Sequence, residues 1–380
     1  MKKTRYRLAF VLWLLCLSWQ AVPQAASLTD GMEAGFIYTQ DYFRNLDGGL
    51  QRGGAAPGTL DLYASLDSSA WGGDGNLMLH LDLLGTLGGS VSALAGDLQT
   101  LDNIEAPNTF KVFEAWLQYN LDGGWMLRLG LQDYNALFNT LDAAGVLLNS
   151  SFGLDPSIAQ AEVATFPVSA PGAVLRWRGG NAYVMAAVFD GVPGLPGHPH
   201  GTQIHFLPGE GVFAAVETGL TGGVDRPWKL ALGGWYRSSR FTDVSGAARS
   251  RNHGGYLIAQ ARLLQRGGVS VDGFLQLGLA RASRNPLDQY LGAGLLVRGL
   301  VPARPDDAVS LGLARAHTSS RYRAATPGSS GAETALELTW QAVLNEHLIL
   351  QPDIQYILDP GAQAAVRNAW LLGIRAELSW

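Results

Sequence analysis

The chain has 380 residues and a formal net charge of −5; 48 residues are glycine and only 16% are charged. About a quarter of the residues in ordinary soluble domains are charged, and disordered chains carry still more charge, so this composition is typical of neither class. The acidic balance also argues against nucleic acid as a partner.

The N-terminus predicts a secretory signal peptide over residues 1–26, which is removed from the mature protein. An apolar run covers Leu8–Leu17, and Ala25 and Ala26 supply small residues for cleavage. The single cysteine, Cys16, is lost with this segment, so we expect no disulfide framework. Removal lowers Lys plus Arg from 27 to 23 against 32 Asp plus Glu, for a mature net charge of about −9. The basic start of the segment consists of Lys2, Lys3, Arg5 and Arg7.

Residues 27–380, the expected mature domain, alternate between apolar and polar side chains with a period of two. In Gly58–Ala70, for example, Leu60 and Leu62 fall on one face and Asp61 on the other. This pattern predicts amphipathic strands, and no apolar run approaches the roughly 18 residues of a membrane helix. In chain order the predicted strands are Gly31–Asn45, Gly58–Ala70, Asn76–Thr86, Phe110–Leu121, Trp125–Phe138, Gly172–Gly179, Asn181–Gly191, Val212–Leu220, Pro227–Arg240, Arg251–Gln265, Gly268–Arg281, Gln289–Leu300, Asp307–Ser319, Glu333–Leu344, Leu348–Pro360 and Ala369–Trp380.

These sixteen strands, an even number, predict an all-β, transmembrane, antiparallel up-and-down barrel, because closure pairs every backbone group in hydrocarbon. The connections alternate between tight and long along the chain. Tight connections occur at Leu121–Gly124, Arg178–Asn181, Thr221–Asp225, Gln265–Gly268 and Leu344–His347, and long ones at Leu87–Thr109, Asn139–Pro171, Gly191–Gly211 and Ser319–Ala332. Short periplasmic turns and long extracellular loops produce this pattern, so the tight connections mark the periplasmic side.

Six aromatic residues lie beside tight connections and share the parity of the apolar face. They predict a periplasmic aromatic girdle at the lipid boundary, with ordinary aromatic content at strand ends as the alternative. The girdle residues are Tyr119, Trp125, Trp177, Tyr183, Trp228 and Trp380.

The strand faces opposite the leucines should line the lumen. Basic candidates near the periplasmic ends of their strands are Arg128, Arg176, Arg178, Lys229, Arg262 and Arg298. They predict a basic collar low in the pore, unless they pair with neighbouring carboxylates and only support the wall.

The acidic candidates for the lining of the lumen are Asp82, Glu114, Glu217, Asp272, Glu337, Asp353 and Glu377. Inward aromatics that could stack on sugar rings are Tyr63, Trp116, Trp235 and Phe274, each of which is also explained as a generic wall position.

The long connection Asn139–Pro171 is the best candidate for a loop that folds inward and narrows the lumen. Its apolar side chains would be unfavourable on a solvated loop tip, and they include Leu147, Leu148, Phe152 and Leu154. The alternative is a loop that packs on the barrel rim or on a neighbouring subunit.

Several segments resemble the carbohydrate-selective porin family, the OprB-like porins. The densest is Gly-Asp-Leu-Gln-Thr-Leu-Asp-Asn-Ile-Glu-Ala-Pro at 96–107, followed by Phe-Glu-Ala-Trp at 113–116. The matching pieces that follow are Gly130–Asp133, Leu148–Gly153, Thr165–Pro167 and Val188–Gly191. The terminal strand ending in Trp380 resembles the aromatic-ended strand that the outer-membrane assembly machinery recognises.

The resemblance implies a sixteen-stranded outer-membrane barrel that passes glucose and other small carbohydrates into the periplasm by passive diffusion, without a cofactor. A porin for other small solutes, such as organic acids or polyols, is one alternative, and a plugged structural or adhesive barrel is another. Expected partners are sugars, outer-membrane lipid and the assembly machinery. The exposed strand faces suit lipid or a neighbouring subunit equally, so both a monomer and a homo-oligomer are compatible with the sequence.

The sequence gives little support to the hypothesis that the protein is an enzyme. No Walker loop, G-x-S-x-G elbow or cysteine pair is present. Three histidines of one outer loop, His198, His200 and His205, have no clustered carboxylate beyond Glu210. We therefore predict neither catalysis nor a metal site.

Overall fold

The computed structural model describes residues 26–29, 31–195 and 198–380, which form a closed antiparallel β-barrel. Each of sixteen long strands pairs with its neighbour in the chain, and the last pairs with the first. The predicted all-β barrel of about sixteen strands is therefore confirmed. The strands are β1 (Met32–Gly49), β2 (Gly58–Asp67), β3 (Leu77–Leu87), β4 (Thr109–Leu121), β5 (Trp125–Gln132), β6 (Ala170–Gly179), β7 (Ala182–Asp190), β8 (Val212–Gly222), β9 (Trp228–Thr242), β10 (Ala248–Arg266), β11 (Val269–Ala280), β12 (Leu287–Arg298), β13 (Ala308–Thr318), β14 (Ala332–Asn345), β15 (Leu348–Leu358) and β16 (Arg367–Ser379).

Short strands, helices and turns accompany the sixteen barrel strands. Two short strands, Ala26–Thr29 and Gly53–Ala55, pair with the lower and upper parts of β1. The α-helices are α1 (Ser92–Ala95), α2 (Ser150–Gly153), α3 (Pro156–Ala159) and α4 (Ser320–Ala325), and single 3-10 turns lie at Ser68–Trp71, Asp122–Gly124, Asp142–Ala144 and Pro360–Ala362. Within the described residues, no helix is long and apolar enough to cross a membrane.

Side-chain alternation explains why these segments form barrel strands. In β8, Val212, Val216 and Leu220 are exposed on the outer surface, whereas Phe213 and Glu217 are buried inside the barrel. Because successive side chains of a strand point to opposite faces, an apolar set faces the lipid and a mixed set faces the lumen.

The connections divide the barrel into two different ends. On the periplasmic side, the turn at 180–181 joins β6 to β7, and the turn at 267–268 joins β10 to β11. On the outer side, residues 88–108, 133–169 and 191–211 form long loops. The predicted arrangement of short periplasmic turns and long extracellular loops is confirmed.

Two sequence predictions need comment. The predicted strand Trp125–Phe138 is too long, because β5 ends at Gln132 and the chain then turns into the barrel, where Tyr134 and Phe138 are buried. Their apolar character reflects packing inside the lumen rather than contact with lipid. The predicted signal peptide, apart from its last residue, Ala26, lies outside the described residues.

Candidate functional site: the barrel lumen

Residues 133–169, which we name the inner loop, lie inside the barrel and not on its rim. Leu147, Leu148, Phe152 and Ile158 are buried together with side chains of the surrounding wall. The ring of Phe152 meets the ring of Phe274 on β11 edge to face, with 6.0 Å between their centroids. The apolar residues that suggested an inward loop therefore form the hydrophobic core of the molecule.

Two carboxylates of the wall hold the backbone of the inner loop. Glu337 on β14 accepts hydrogen bonds from the amides of Leu148 at 2.5 Å and Asn149 at 2.9 Å. Glu217 on β8 accepts one from the amide of Asn139 at 2.9 Å. Hydrogen bonds to charged acceptors are roughly twice as strong as neutral ones, so these contacts fix the path of the loop.

Amide and hydroxyl side chains of the wall bind carbonyl groups of the same loop. Gln276 donates to Phe152 O at 3.0 Å, Gln351 to Val146 O at 2.7 Å and Tyr290 to Ser151 O at 2.8 Å. Buried backbone carbonyls that no helix or strand hydrogen bond satisfies need such partners. The polar residues on this part of the lumen wall thus hold the loop.

This arrangement corrects four of the predicted acidic pore-lining residues. Glu217, Glu337 and Asp353 are buried beneath the inner loop and are not accessible to a passing solute. Asp272 is also buried and accepts hydrogen bonds from Arg262 at 2.6 and 3.1 Å. Strand parity correctly directs these side chains inward, but parity carries no information about a loop that covers them.

Residues 88–108, the companion loop, pack against the inner loop. The amide of Asn103 donates to Leu148 O at 2.8 Å, and the amide of Ser150 donates to Thr100 O at 2.9 Å. Burial raises the pKa of Asp97 in this loop to about 6. The two loops therefore act as one folded unit inside the barrel.

An ion-pair cluster joins the companion loop to the seam where the barrel closes. Arg375 on β16 binds Asp41 on β1 through contacts of 2.7 to 3.1 Å and also approaches Asp102 at 3.4 Å. Burial, and then the neighbouring Asp41 carboxylate, raise the pKa of Asp102 above its ordinary value, and Arg375 opposes this effect. Sequence analysis missed this cluster because its members lie far apart in the chain.

The predicted basic residues all come from one half of the ring, strands β5–β12, and we name them the basic arc. Arg178 donates to Thr221 at 3.3 Å, and Lys229 donates to the carbonyl of Thr140 in the inner loop at 2.8 Å. Arg298 lies 3.6 Å from the Asp272 carboxylate that also binds Arg262. The basic arc consists of Arg128, Arg176, Arg178, Lys229, Arg262 and Arg298.

The other half of the ring carries carboxylates. Glu377 on β16, Asp61 on β2, Asp82 on β3 and Glu114 on β4 are partly exposed and lie close enough to interact electrostatically along this side. We name them the acidic arc. Glu114 also accepts a hydrogen bond from the amide of Asp133 at 2.7 Å. The two halves of the ring thus carry inward side chains of opposite sign, and the arcs meet where Glu114 on β4 neighbours Arg128 on β5.

Trp116 lies between side chains from both neighbouring strands. His80 on β3 stacks on its indole with 4.7 Å between ring centroids, and the Arg128 guanidinium on β5 lies 3.8 Å from the ring centroid. Arg128 is only 5% exposed and donates two hydrogen bonds to Gln118. The guanidinium supports the wall through cation–π packing instead of projecting freely into the pore.

Three predicted stacking aromatics are corrected. His80 and Arg128 cover the ring of Trp116. Trp235 is buried and stacks on Phe213, and Phe274 is buried against Phe152 of the inner loop. Neither ring face is open to a solute, because the loop core occupies that space. Tyr63, on β2 beside the acidic arc, stays partly exposed within the lumen.

One predicted girdle residue also points the wrong way. Tyr183 is buried inside the barrel, and its hydroxyl donates to Glu217 at 2.6 Å. Both faces of β7 are apolar, because its inward residues Met185 and Phe189 pack against the inner loop. Hydrophobicity alone therefore does not show which side chains of this strand point into the barrel. The side chains at the periplasmic strand ends that lie on the outer face are Tyr119, Trp125, Trp177, Trp228 and Trp380.

Comparison with known proteins agrees with this geometry. A profile described as carbohydrate-selective porin, OprB family, matches residues 51–380. Porin B of Pseudomonas aeruginosa is 25% identical over 211 residues, which are 47% of this chain and 46% of that protein. The matched region therefore spans about half the length of this curated relative.

Solved structures share the fold. The high-pH structure of Pseudomonas putida OprB superimposes with a TM-score of 0.83 at 19% identity, covering 93% of this chain and 95% of that one. The outer-membrane channel DcaP of Acinetobacter baumannii gives 0.56 at 10% identity, covering 94% and 99%. Since the profile match covers most of the sequence, this outer-membrane β-barrel belongs to the carbohydrate-selective porin family, the OprB family.

Proposed function

We propose that this protein passes monosaccharides and other small carbohydrates across the outer membrane by passive diffusion, without catalysis and without a cofactor. Membership of the carbohydrate-selective porin family supports the solute class. The polar lumen of the barrel supports the mode of transport. The gradient of the solute alone drives the flux.

The observation that carries this proposal is the pair of oppositely charged arcs. Sugar hydroxyls donate and accept hydrogen bonds, so basic and carboxylate groups on the two halves of the ring offer partners for both roles. Tyr63 adds a partly exposed ring beside the acidic arc for weak contact with a sugar face. Transient contacts of this kind suit conduction, because a tight site would retain the solute.

The basic arc is the part of this proposal that concerns charge selectivity. Arg262 shares Asp272 with Arg298, which lowers the net charge of that segment, and Arg128 binds Gln118 and interacts electrostatically with Glu114. We expect Arg128→Ala and Arg262→Ala to shift the reversal potential in a salt gradient toward cations. If neither variant shifts the reversal potential, the collar only supports the wall.

A solute panel tests the proposed substrate class. Liposomes containing the purified protein should swell faster in glucose than in succinate, a polyol or an amino acid, and planar bilayers should show ion conductance. Glu346→Ala is a control, because this side chain is 85% exposed in a periplasmic turn. Fastest swelling in succinate or in the polyol would indicate a porin for that solute. A protein that folds but is silent in bilayers would indicate a plugged barrel.

Four further proposals concern the cellular context. Residues 27–380 form the mature domain after removal of residues 1–26, and the outer girdle residues sit at the lipid boundary.

The C-terminal strand is the recognition element for the assembly machinery. Its last residue, Trp380, stacks on His347 with 4.0 Å between ring centroids and exchanges two backbone hydrogen bonds with Phe36. A homo-oligomer through the outer strand faces is tested by the mass of the purified complex in detergent.

A further inference from the structure

The outer loop at 191–211 brings three metal-binding side chains together at the end of β7. Asp190 is the last residue of that strand, and His205 and Glu210 lie in the second half of the loop. One ligand atom of each side chain lies within 4.8 Å of the other two, and His205 Nδ1 is 2.8 Å from Glu210 Oε1. This spacing allows one small cation to contact all three with slight side-chain rotation.

The group is shielded from solvent. Asp190 is 9% exposed, and the side chains of His205 and Glu210 are 16% and 13% exposed. Neither ring nitrogen of His205 makes a well-formed hydrogen bond with any residue that the structure describes, although both nitrogens are buried. Buried imidazoles ordinarily satisfy both nitrogens, whereas here Nε2 has no hydrogen-bond partner among the described residues and Nδ1 has only its close contact with Glu210.

Charge also favours a cation at this position. The carboxylates of Asp190 and Glu210 lie within 4.8 Å of each other and repel electrostatically. Arg237 reaches this region, but its nitrogens bind the carbonyls of Gly191 and Ala161 and the carboxylate of Glu162. A divalent ion would offset the repulsion between two shielded carboxylates.

We propose that Asp190, His205 and Glu210 form a binding site for a divalent transition-metal ion of the Zn²⁺ type. One imidazole and two carboxylates are a ligand set that zinc accepts, and a water molecule completes four-coordination. Calcium is disfavoured, because it requires six to eight oxygen ligands. The proposal is independent of the solute that the channel passes.

The ion would give this outer loop a second point of attachment. The first is on β4, where Gly201 N donates to Thr109 at 3.0 Å and Thr202 exchanges hydrogen bonds of 2.8 and 2.9 Å with Val112. A metal bridge ties the returning half of the loop to β7. Bound metal therefore fixes the returning half of the loop at the outer end of β7.

The sequence alone did not predict this site. His198 and His200, which lie closest to His205 in the loop, do not join the cluster. The missing ligand, Asp190, belongs to a strand and looks like an ordinary strand-end residue. Only the return of the loop to its starting point brings the three together.

Calorimetric titration of Zn²⁺ into the untagged, detergent-solubilised protein tests the proposal. We expect one ion per chain, no displacement by excess Ca²⁺, and protection of the loop from proteolysis when Zn²⁺ is present. Because loss of an outer-shell partner already weakens metal binding about 10–100-fold, His205→Ala or Asp190→Asn should weaken it by at least about 100-fold.

Controls separate this site from other histidines. His200→Ala should bind Zn²⁺ like the unsubstituted protein, and heat-modified migration on gels verifies that each variant has folded. A tetrahedral Co²⁺ absorption spectrum that His205→Ala and Glu210→Gln both lose would support the assignment. Absence of Zn²⁺ binding, or unchanged binding in the folded Asp190→Asn and His205→Ala variants, would overturn it.

Discussion

Glu337 on the barrel wall and Asn149 in the inner loop are joined by a 2.9 Å hydrogen bond from the loop amide to the wall carboxylate. The same carboxylate accepts the preceding amide, that of Leu148. A paired contact of this kind fixes both the position and the direction of the loop segment. The position of the inner loop inside the barrel therefore depends on one side chain of the wall.

Glu337→Ala should therefore loosen the inner loop. The substitution leaves two buried amides without acceptors, at a cost of about 1–3 kcal/mol each. We expect larger and noisier single-channel currents, together with faster proteolysis within residues 133–169. Both are measured on protein reconstituted in bilayers or detergent.

The exposed Glu346→Ala substitution serves as the matched control, since it removes a carboxylate from the strand connection next to the same β14. Its currents should be unchanged. Equal, unaltered currents from both variants would show that the Glu337 contacts do not set the width of the channel.

Gly312 on β13 offers a second, independent way to displace the loop. A Cβ atom at this position would lie 2.5 Å from Phe152 Cζ and 2.7 Å from Leu147 Cδ1. Gly312→Ala should therefore push the loop core away from the wall, and overpacking of this kind costs about 1–3 kcal/mol. We expect a lower thermal midpoint and an altered conductance.

Gly331→Ala is the control, because a Cβ there meets no atom within 4 Å among the described residues. It should leave both quantities unchanged. A Gly312→Ala protein that also keeps its conductance and thermal midpoint would contradict the close packing of Phe152 against β13.

Strand number, orientation and the inward loop could be predicted because each follows from a local rule. Period-two alternation predicts the strands, and alternating connection lengths predict the ends of the barrel. The apolar residues of the inner loop predict its burial, as Leu148 and Phe152 illustrate.

The detailed lining of the lumen could not be predicted, because it depends on which wall residues the loop covers. Glu217 and Asp82 have the same inward parity, yet one is buried beneath the loop and the other is partly exposed. Tyr183 illustrates another reason: a strand face that packs on the inner loop is as apolar as a strand face that contacts lipid, so the two cannot be told apart from the sequence. Long-range pairs such as Arg375 with Asp41 carry no local signal.

The Arg375–Asp41 pair should contribute strongly to barrel closure. Arg375→Ala leaves the Asp41 and Asp102 carboxylates buried without their cation, and breaking a buried pair costs about 3–5 kcal/mol. We expect a lower denaturant midpoint in detergent, measured by loss of the heat-modifiable folded band on gels.

The exposed pair of Arg367 and Asp47 joins the same two strands and provides the comparison. Since Arg367 is 73% exposed, Arg367→Ala should cost less than about 1 kcal/mol. Equal losses for Arg375→Ala and Arg367→Ala would contradict a special role for the buried cluster.

Asp133, at the start of the inner loop, should make stability depend on pH. Burial, and then the nearby Glu114 carboxylate, raise its pKa from an ordinary 3.8 to about 7. A raised carboxyl pKa means that the folded state holds the proton more tightly than the unfolded state. The free energy of unfolding therefore falls as the pH rises from about 4 to about 7, by about 2–4 kcal/mol from this group.

Asp133→Asn removes the titrating group and keeps an oxygen for the amide of Asn135, which binds Asp133 at 2.6 Å. The variant should lose this contribution to the fall in the free energy of unfolding. The difference in this free energy between the variant and the unsubstituted protein should therefore change between pH 4 and pH 7 and be constant above about pH 8. Thermal midpoints in detergent at several pH values measure it. Asp74→Asn, in an exposed periplasmic turn, should keep the full fall. A fall of equal size in Asp133→Asn would assign the pH dependence to other groups.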